Sequence, residues 1–204
     1  YVSTAIYLAN KLVNNSGAGK LMFSYEVNKN LQELKTGQNN EFSDVNFNKL
    51  NNTEITDIYF LVSDYTASAA EIVISAMKPY AKVHLISEVG STYGKPVGFF
   101  RQDIMGKAGL WAASFKIVNA DGYTDYWDGI PADKATDKQW VVDDVRYDFG
   151  DLRETMLATA INHIKVGNYS LGGAAAKASI RTNEQVLSRP IPVQKLRERN
   201  MLKD

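Results

Sequence analysis

Two side chains have the type and spacing for covalent chemistry: Ser68, set among small residues in DYTASAAE (Asp64 to Glu71), and Lys95 in STYGKPVG (Ser91 to Gly98). Ser68 has two readings. Serine is a favoured helix N-cap and capping needs no chemistry, whereas a hydroxyl with a base in hydrogen-bond reach is a nucleophile. Other combinations fall short. NSGAGKL (Asn15 to Leu21) has Asn14 where a phosphate loop begins with glycine and Leu21 where Ser or Thr ligates magnesium. SAMK (Ser75 to Lys78) and KTG (Lys35 to Gly37) occur in the wrong order for a penicillin-recognising enzyme, and Ser75 lies near a helix end. The two histidines, His84 and His163, fall in a predicted strand and late in a predicted helix, and each reads as structural. Asp143, Asp144, Asp148 and Asp151 read as turn and cap residues. The lack of cysteine excludes disulfides and thiolate chemistry, and with only two histidines few soft metal ligands remain, so no structural zinc or other metal site is expected.

The elements around Ser68 and Lys95 decide whether the two can meet. Ile58 to Val62 (IYFLV) is an unbroken apolar run, as in a strand buried on both faces. Ala67 to Met77 carries Ile72, Val73, Ala76 and Met77 at helical spacing and stops before Pro79, and Val83 to Ile86 resumes as strand. A strand, helix, strand unit predicts parallel pairing with a crossover helix. In an open α/β sheet ligands bind at the carboxyl ends of strands, where a helix start offers free N–H groups. Ser68 stands at such a start, and Lys95 lies in the loop after the next parallel strand. The two can converge although 27 positions apart, which makes a Ser-Lys dyad possible.

The rest of the chain frames this unit. Ser3 caps a first helix through Val13, Leu21 to Val27 is a strand, and Asn28 to Asn52 is a polar excursion with irregular structure. Leu110 to Val118 and Tyr123 to Trp127 flank NADG (Asn119 to Gly122), a hairpin signal. Asp151 caps a helix to Lys165, with Glu154 closing a capping box. Residues 168–204 read as a tail, extended or partly ordered. Of 204 residues 45% are apolar, enough for one core, and Lys plus Arg equals Asp plus Glu at 23 each, so no net field favours nucleic acid. No apolar run is long enough to span a bilayer.

These segments together resemble the tail-specific, or C-terminal processing, serine peptidases, whose nucleophile lies in a segment like S-A-S-E and whose base lies in one like T-x-G-K. The likeness runs through TASAAE, STYGKPVG, Tyr126 to Asp137 and Tyr147 to Ile164, most of 1–165. Ala70 replaces a frequent Ser, the Ser-to-Lys interval is slightly longer, and Phe99 stands where several members carry a Gln. The resemblance implies an α/β fold of ClpP/crotonase-like β-β-α units with a mostly parallel central sheet, and a catalytic domain over 1–167. It implies peptide-bond hydrolysis through an acyl-enzyme with Ser68 as nucleophile, Lys95 as base and the Ala69 N–H as an oxyanion donor, with no cofactor. Glu71 reads first as a helix-start charge and then as a support behind the dyad. Tyr93 joins it, and with Pro96, Val97 and Phe99 is expected to shield Lys95, because a lysine brought from ~10.4 to ~7 must lose roughly 4–5 kcal/mol of ammonium stabilisation.

The implied partner is polypeptide and the implied location extracytoplasmic. The family's Gly-Gly segment and PDZ module are expected ahead of Tyr1, so the chain alone is expected to be a poor peptidase that self-associates or takes a strand from a partner. Two rival readings are a crotonase-like acyl-transfer enzyme, which would not require Lys95, and a catalytically silent peptide-binding module.

Overall fold

The computed structural model describes residues 1–32, 35, 42–87, 89–133 and 143–171. The fold is mixed α/β. Helix α1 (Val2–Leu12) leads to strand β1 (Leu21–Val27), a short β2 (Val45–Asn46) and β3 (Asp57–Val62). Helix α2 (Ala69–Met77) connects β3 to β4 (Lys82–Ser87), and β5 (Val97–Ile104), β6 (Ala108–Asn119) and α3 (Thr155–Val166) follow.

The predicted strand, helix, strand unit is present: β3 and β4 pair in parallel from Asp57↔Lys82 to Val62↔Ser87. A parallel pair needs a long crossover, and α2 is that crossover. The mostly parallel central sheet is not what the described residues form. Their larger sheet has the order β2-β1-β6-β5 and is antiparallel throughout. The reason is connectivity, since β5 and β6 are joined by a tight turn at Met105 (φ 57°) and Gly106 (φ 68°), which permits only antiparallel pairing.

The main core lies where α1 and α2 pack together against β1, β3 and β6, with Ala5, Ala9, Phe23, Ile58, Ile72, Val73, Met77 and Ile117 buried in one cluster. Smaller clusters join Val62, Ile74, Leu85, Tyr126 and Ile130 on the α2 side of the small sheet, and Ile86, Met156 and Ala160 beneath α3. Strand β3 is not buried on both faces, because Leu61 is exposed.

Other expectations shift locally. Tyr1, not Ser3, is the N-cap of α1. Asn119 does make the NADG turn, its Oδ1 accepting from the Asp121 and Tyr123 N–H groups, but Tyr123 to Trp127 forms no strand. Helix α3 is capped by Glu154, whose carboxylate accepts from the Met156 and Leu157 N–H groups at 2.9 and 2.7 Å. Asp151 instead pairs with Arg153, and Asp144 pairs with Arg146. The tail from residue 172 onward and the segment 134–142 lie outside the described residues.

Candidate active site

Ser68 sits between the end of β3 and the start of α2 at φ 55°, ψ −115°, one of two non-glycine residues described with positive φ. That backbone is costly for any residue with a Cβ, and such strain clusters at functional sites. Several hydrogen bonds hold the turn. The Ser63 N–H donates to Thr66 Oγ1, and the Ser68 N–H donates to Glu71 Oε2 at 2.8 Å, the returning half of a capping box. Ala69 opens α2, so its N–H is one of the first-turn donors that a helix leaves unpaired.

Glu71 does more than cap. Its side chain is wholly buried. Oε2 accepts the Ser68 N–H and the Lys95 N–H, both at 2.8 Å, so the two backbone nitrogens are at most twice that distance apart. Oε1 accepts the Thr92 hydroxyl at 2.6 Å and the Gly94 N–H at 2.7 Å. An ionised carboxylate offers about four lone-pair sites, and four donors fill them here. The serine turn and the lysine loop are thus fastened to one buried anion.

The loop from Thr92 to Pro96 is fixed from its other side as well. The Tyr93 N–H donates to the Thr66 carbonyl at 2.9 Å, and Thr92 Oγ1 also accepts the Ile130 N–H at 2.8 Å. Gly94 has φ +90°, and a Cβ there would stand 2.2 Å from the Trp127 carbonyl oxygen. Only glycine fits that close approach of two backbones. Lys95 is half-buried, its Nζ lies 4.6 Å from the centre of the Phe99 ring, and Pro96 behind it is fully buried. Tyr93 is 44% exposed and so shields less than the sequence suggests.

The histidines engage each other and not this turn. Their rings stand 4.9 Å apart among Tyr59, Tyr169, Asp57 and Asp133. Ser75 lies in the last turn of α2, with its hydroxyl buried and unpartnered among the described residues, which fits a chance match of SAMK. No group of metal-ligating side chains occurs among the described residues, and no helix among them is long and apolar enough to cross a membrane. The sequence reading missed Thr92 as a second anchor of the loop. Its signal was available only in part, as a polar residue in a glycine-containing loop, two positions before Gly94.

No family model matches the chain, and no curated protein matches it. Among solved structures it is similar to the "Putative S41 protease" of Bacteroides fragilis NCTC 9343, at 22% identity over 81% of this chain and 41% of that one, with a TM-score of 0.66. It is also similar to the photosystem II D1 C-terminal processing protease, at 17% identity over 72% of this chain and 34% of that one, with a TM-score of 0.52. The chain therefore spans less than half the length of either neighbour, and over that span it has the fold of these two proteases.

Proposed function

We propose that the chain is the catalytic part of a serine endopeptidase that cuts polypeptides with a Ser68–Lys95 dyad. The observation that carries this reading is the shared acceptor: Glu71 Oε2 receives the N–H groups of both residues while Ser68 is held in a strained strand-to-helix turn. The shared fold supports the same reading.

In the reaction, neutral Lys95 Nζ takes the proton from Ser68 Oγ as Oγ attacks a peptide carbonyl. The negative oxygen of the tetrahedral intermediate lies at the start of α2, where the Ala69 N–H donates to it. The Lys95 ammonium then returns the proton to the departing amine, which leaves an acyl-enzyme. Water hydrolyses that ester by the same steps in reverse roles, with Lys95 again accepting a proton. Phe99 and Pro96 lie beside the lysine and exclude part of the water around it.

A fluorophosphonate tests the assignment. It should label the wild-type protein at Ser68, and neither Ser68→Ala nor Lys95→Arg should be labelled, because a guanidinium stays charged and cannot act as the base. His84→Gln and His163→Gln should label normally. Labelling that survives Ser68→Ala, or that is lost with a histidine, overturns the dyad.

A further inference from the structure

Strands β5 and β6 run on past the rest of their sheet as a two-stranded arm. β1 pairs with β6 only from Phe115 to Asn119, so from Phe99↔Ala113 to Ile104↔Ala108 the two strands are each other's sole ladder partners among the described residues. Every residue from Arg101 to Leu110 is exposed. A two-stranded hairpin by itself is marginal in water, and a further strand would support it. Residues opposite each other share a face, so Phe100, Gln102 and Ile104 lie with Ala112, Leu110 and Ala108 on one side of the arm. That side is apolar apart from Gln102, with Phe100, Ile104 and Leu110 at 45%, 47% and 49% exposure. Arg101 and Asp103 lie on the other side and pair at 3.1 Å. Charge on an edge discourages casual pairing, and the register shift between Gly98 and Phe99 breaks the ladder near Lys95. What remains open is the stretch from Phe100 to Ile104.

We propose that the outer edge of β5 from Phe100 to Ile104 pairs antiparallel with the same edge of a second copy of this chain, about a two-fold axis at Gln102. The proposal stands apart from the peptidase reading. In a two-fold antiparallel ladder one residue faces its own copy, and the residues on either side of it face each other. Centred on Gln102, Arg101 faces Asp103 of the second copy, Asp103 faces its Arg101, and Phe100 and Ile104 meet on the apolar side. Centred on Arg101 or on Asp103, like charges stand directly opposite, which is destabilising. The sequence FRQDI thus admits one register and rejects its two neighbours, whereas a strand of unrelated sequence would leave Arg101 and Asp103 without cross-strand partners of opposite sign. The two four-stranded sheets would become one of eight strands, the arms would support each other, and the apolar strips would be continuous.

Sedimentation velocity on charge variants tests this. An interface this small gives a weak dimer, so the wild-type chain should pass from monomer to dimer between about 1 and 200 μM. Arg101→Asp and Asp103→Arg each set like charges opposite each other at two places in the dimer, and each variant alone should stay monomeric over that range. An equimolar mixture of the two should dimerise about as the wild type does, because every facing pair is again of opposite sign. A single chain carrying both substitutions should do the same. Recovery in the mixture also shows that both single variants are folded. A wild-type chain that stays monomeric overturns the proposal, and so does a mixture that stays monomeric. Single variants that dimerise as well as the wild type overturn it too, since contact through the outer edge of β6 or another surface would be indifferent to these charges.

Discussion

Ser68 carries its Cβ at φ 55°, ψ −115°, in a region that costs residues other than glycine about 1–3 kcal/mol. This makes a measurable prediction apart from catalysis. Ser68→Ala keeps the strained Cβ and Ser68→Gly removes it, so the glycine variant should be more stable than the alanine variant by about 1 kcal/mol, after the entropy that glycine loses on folding. Both should be inactive. Urea unfolding of the pair checks this, and equal midpoints would mean that the turn is not strained. The position of Ser68 was legible in the sequence because apolar strand, small residues and helical spacing follow one another there. Its backbone angle was not, since a serine that caps a helix in ordinary β geometry has the same neighbours in sequence.

The joined elements, the β3–α2 turn and the loop into β5, depend on Glu71 and Gly94 together. Glu71→Gln puts an amide NH₂ where one carboxylate oxygen accepted two donors, so whichever way the amide is turned, donors face donors in a buried place. A loss of about 3 kcal/mol is expected, with fluorophosphonate labelling slowed more than tenfold in the fraction that remains folded, read from urea midpoints and labelling rates. Gly94→Ala should be nearly as harmful, because the methyl meets the Trp127 carbonyl and the Gly129 N. Gly122→Ala is the matched control. Its φ of +79° is also positive but nothing lies within 4 Å, so it should lose only about 1 kcal/mol and label normally. A Gly122 variant as damaged as the Gly94 variant would show that φ alone, not the close approach, sets the cost. At this scale the sequence showed the crossover unit and the small-residue turn, but it showed Glu71 only as a first-turn acid. Three of its four donors come from residues 92–95, a contact across sequence that no local pattern encodes. The same limit explains α3, where Asp151 had the better sequence spacing but Glu154 reaches the first-turn N–H groups.

Across the whole molecule, the face of the small sheet away from α2 is closed by α3 and the residues after it, through a cluster that local sequence does not announce. His84 stacks on Tyr59 at 4.4 Å, His163 stacks on Tyr169 at 3.9 Å, and the Tyr59 hydroxyl meets His163 Nδ1 at 2.7 Å. Asp133 binds both Tyr169 and His84, and Asp57 faces the other nitrogen of His84. Four separate segments, 57–59, 84, 133 and 163–169, are tied together at one place. Burial, and then the neighbouring His84 and Lys82, push the proton affinity of His163 below that of an ordinary histidine, against the opposing pull of Asp133 and Asp57. A base whose folded-state pKa is depressed is protonated more readily in the unfolded chain, so stability is full above about pH 6.5 and falls as pH drops below it. Asp57, the carboxylate facing His84, is held below the usual carboxylate range, first by the Thr56 hydroxyl, so below about pH 6.5 the change is expected from His163. The urea midpoint should therefore be lower at pH 5 than at pH 7.5, and the difference should shrink in His163→Gln, whose side chain cannot take up a proton. A His163→Gln protein that loses as much stability as the wild type over that interval would place the acid sensitivity elsewhere. Because β4 runs from this cluster into the Thr92–Lys95 loop, and Asp133 also donates its N–H to the Leu85 carbonyl, fluorophosphonate labelling should decline over the same interval as the cluster opens.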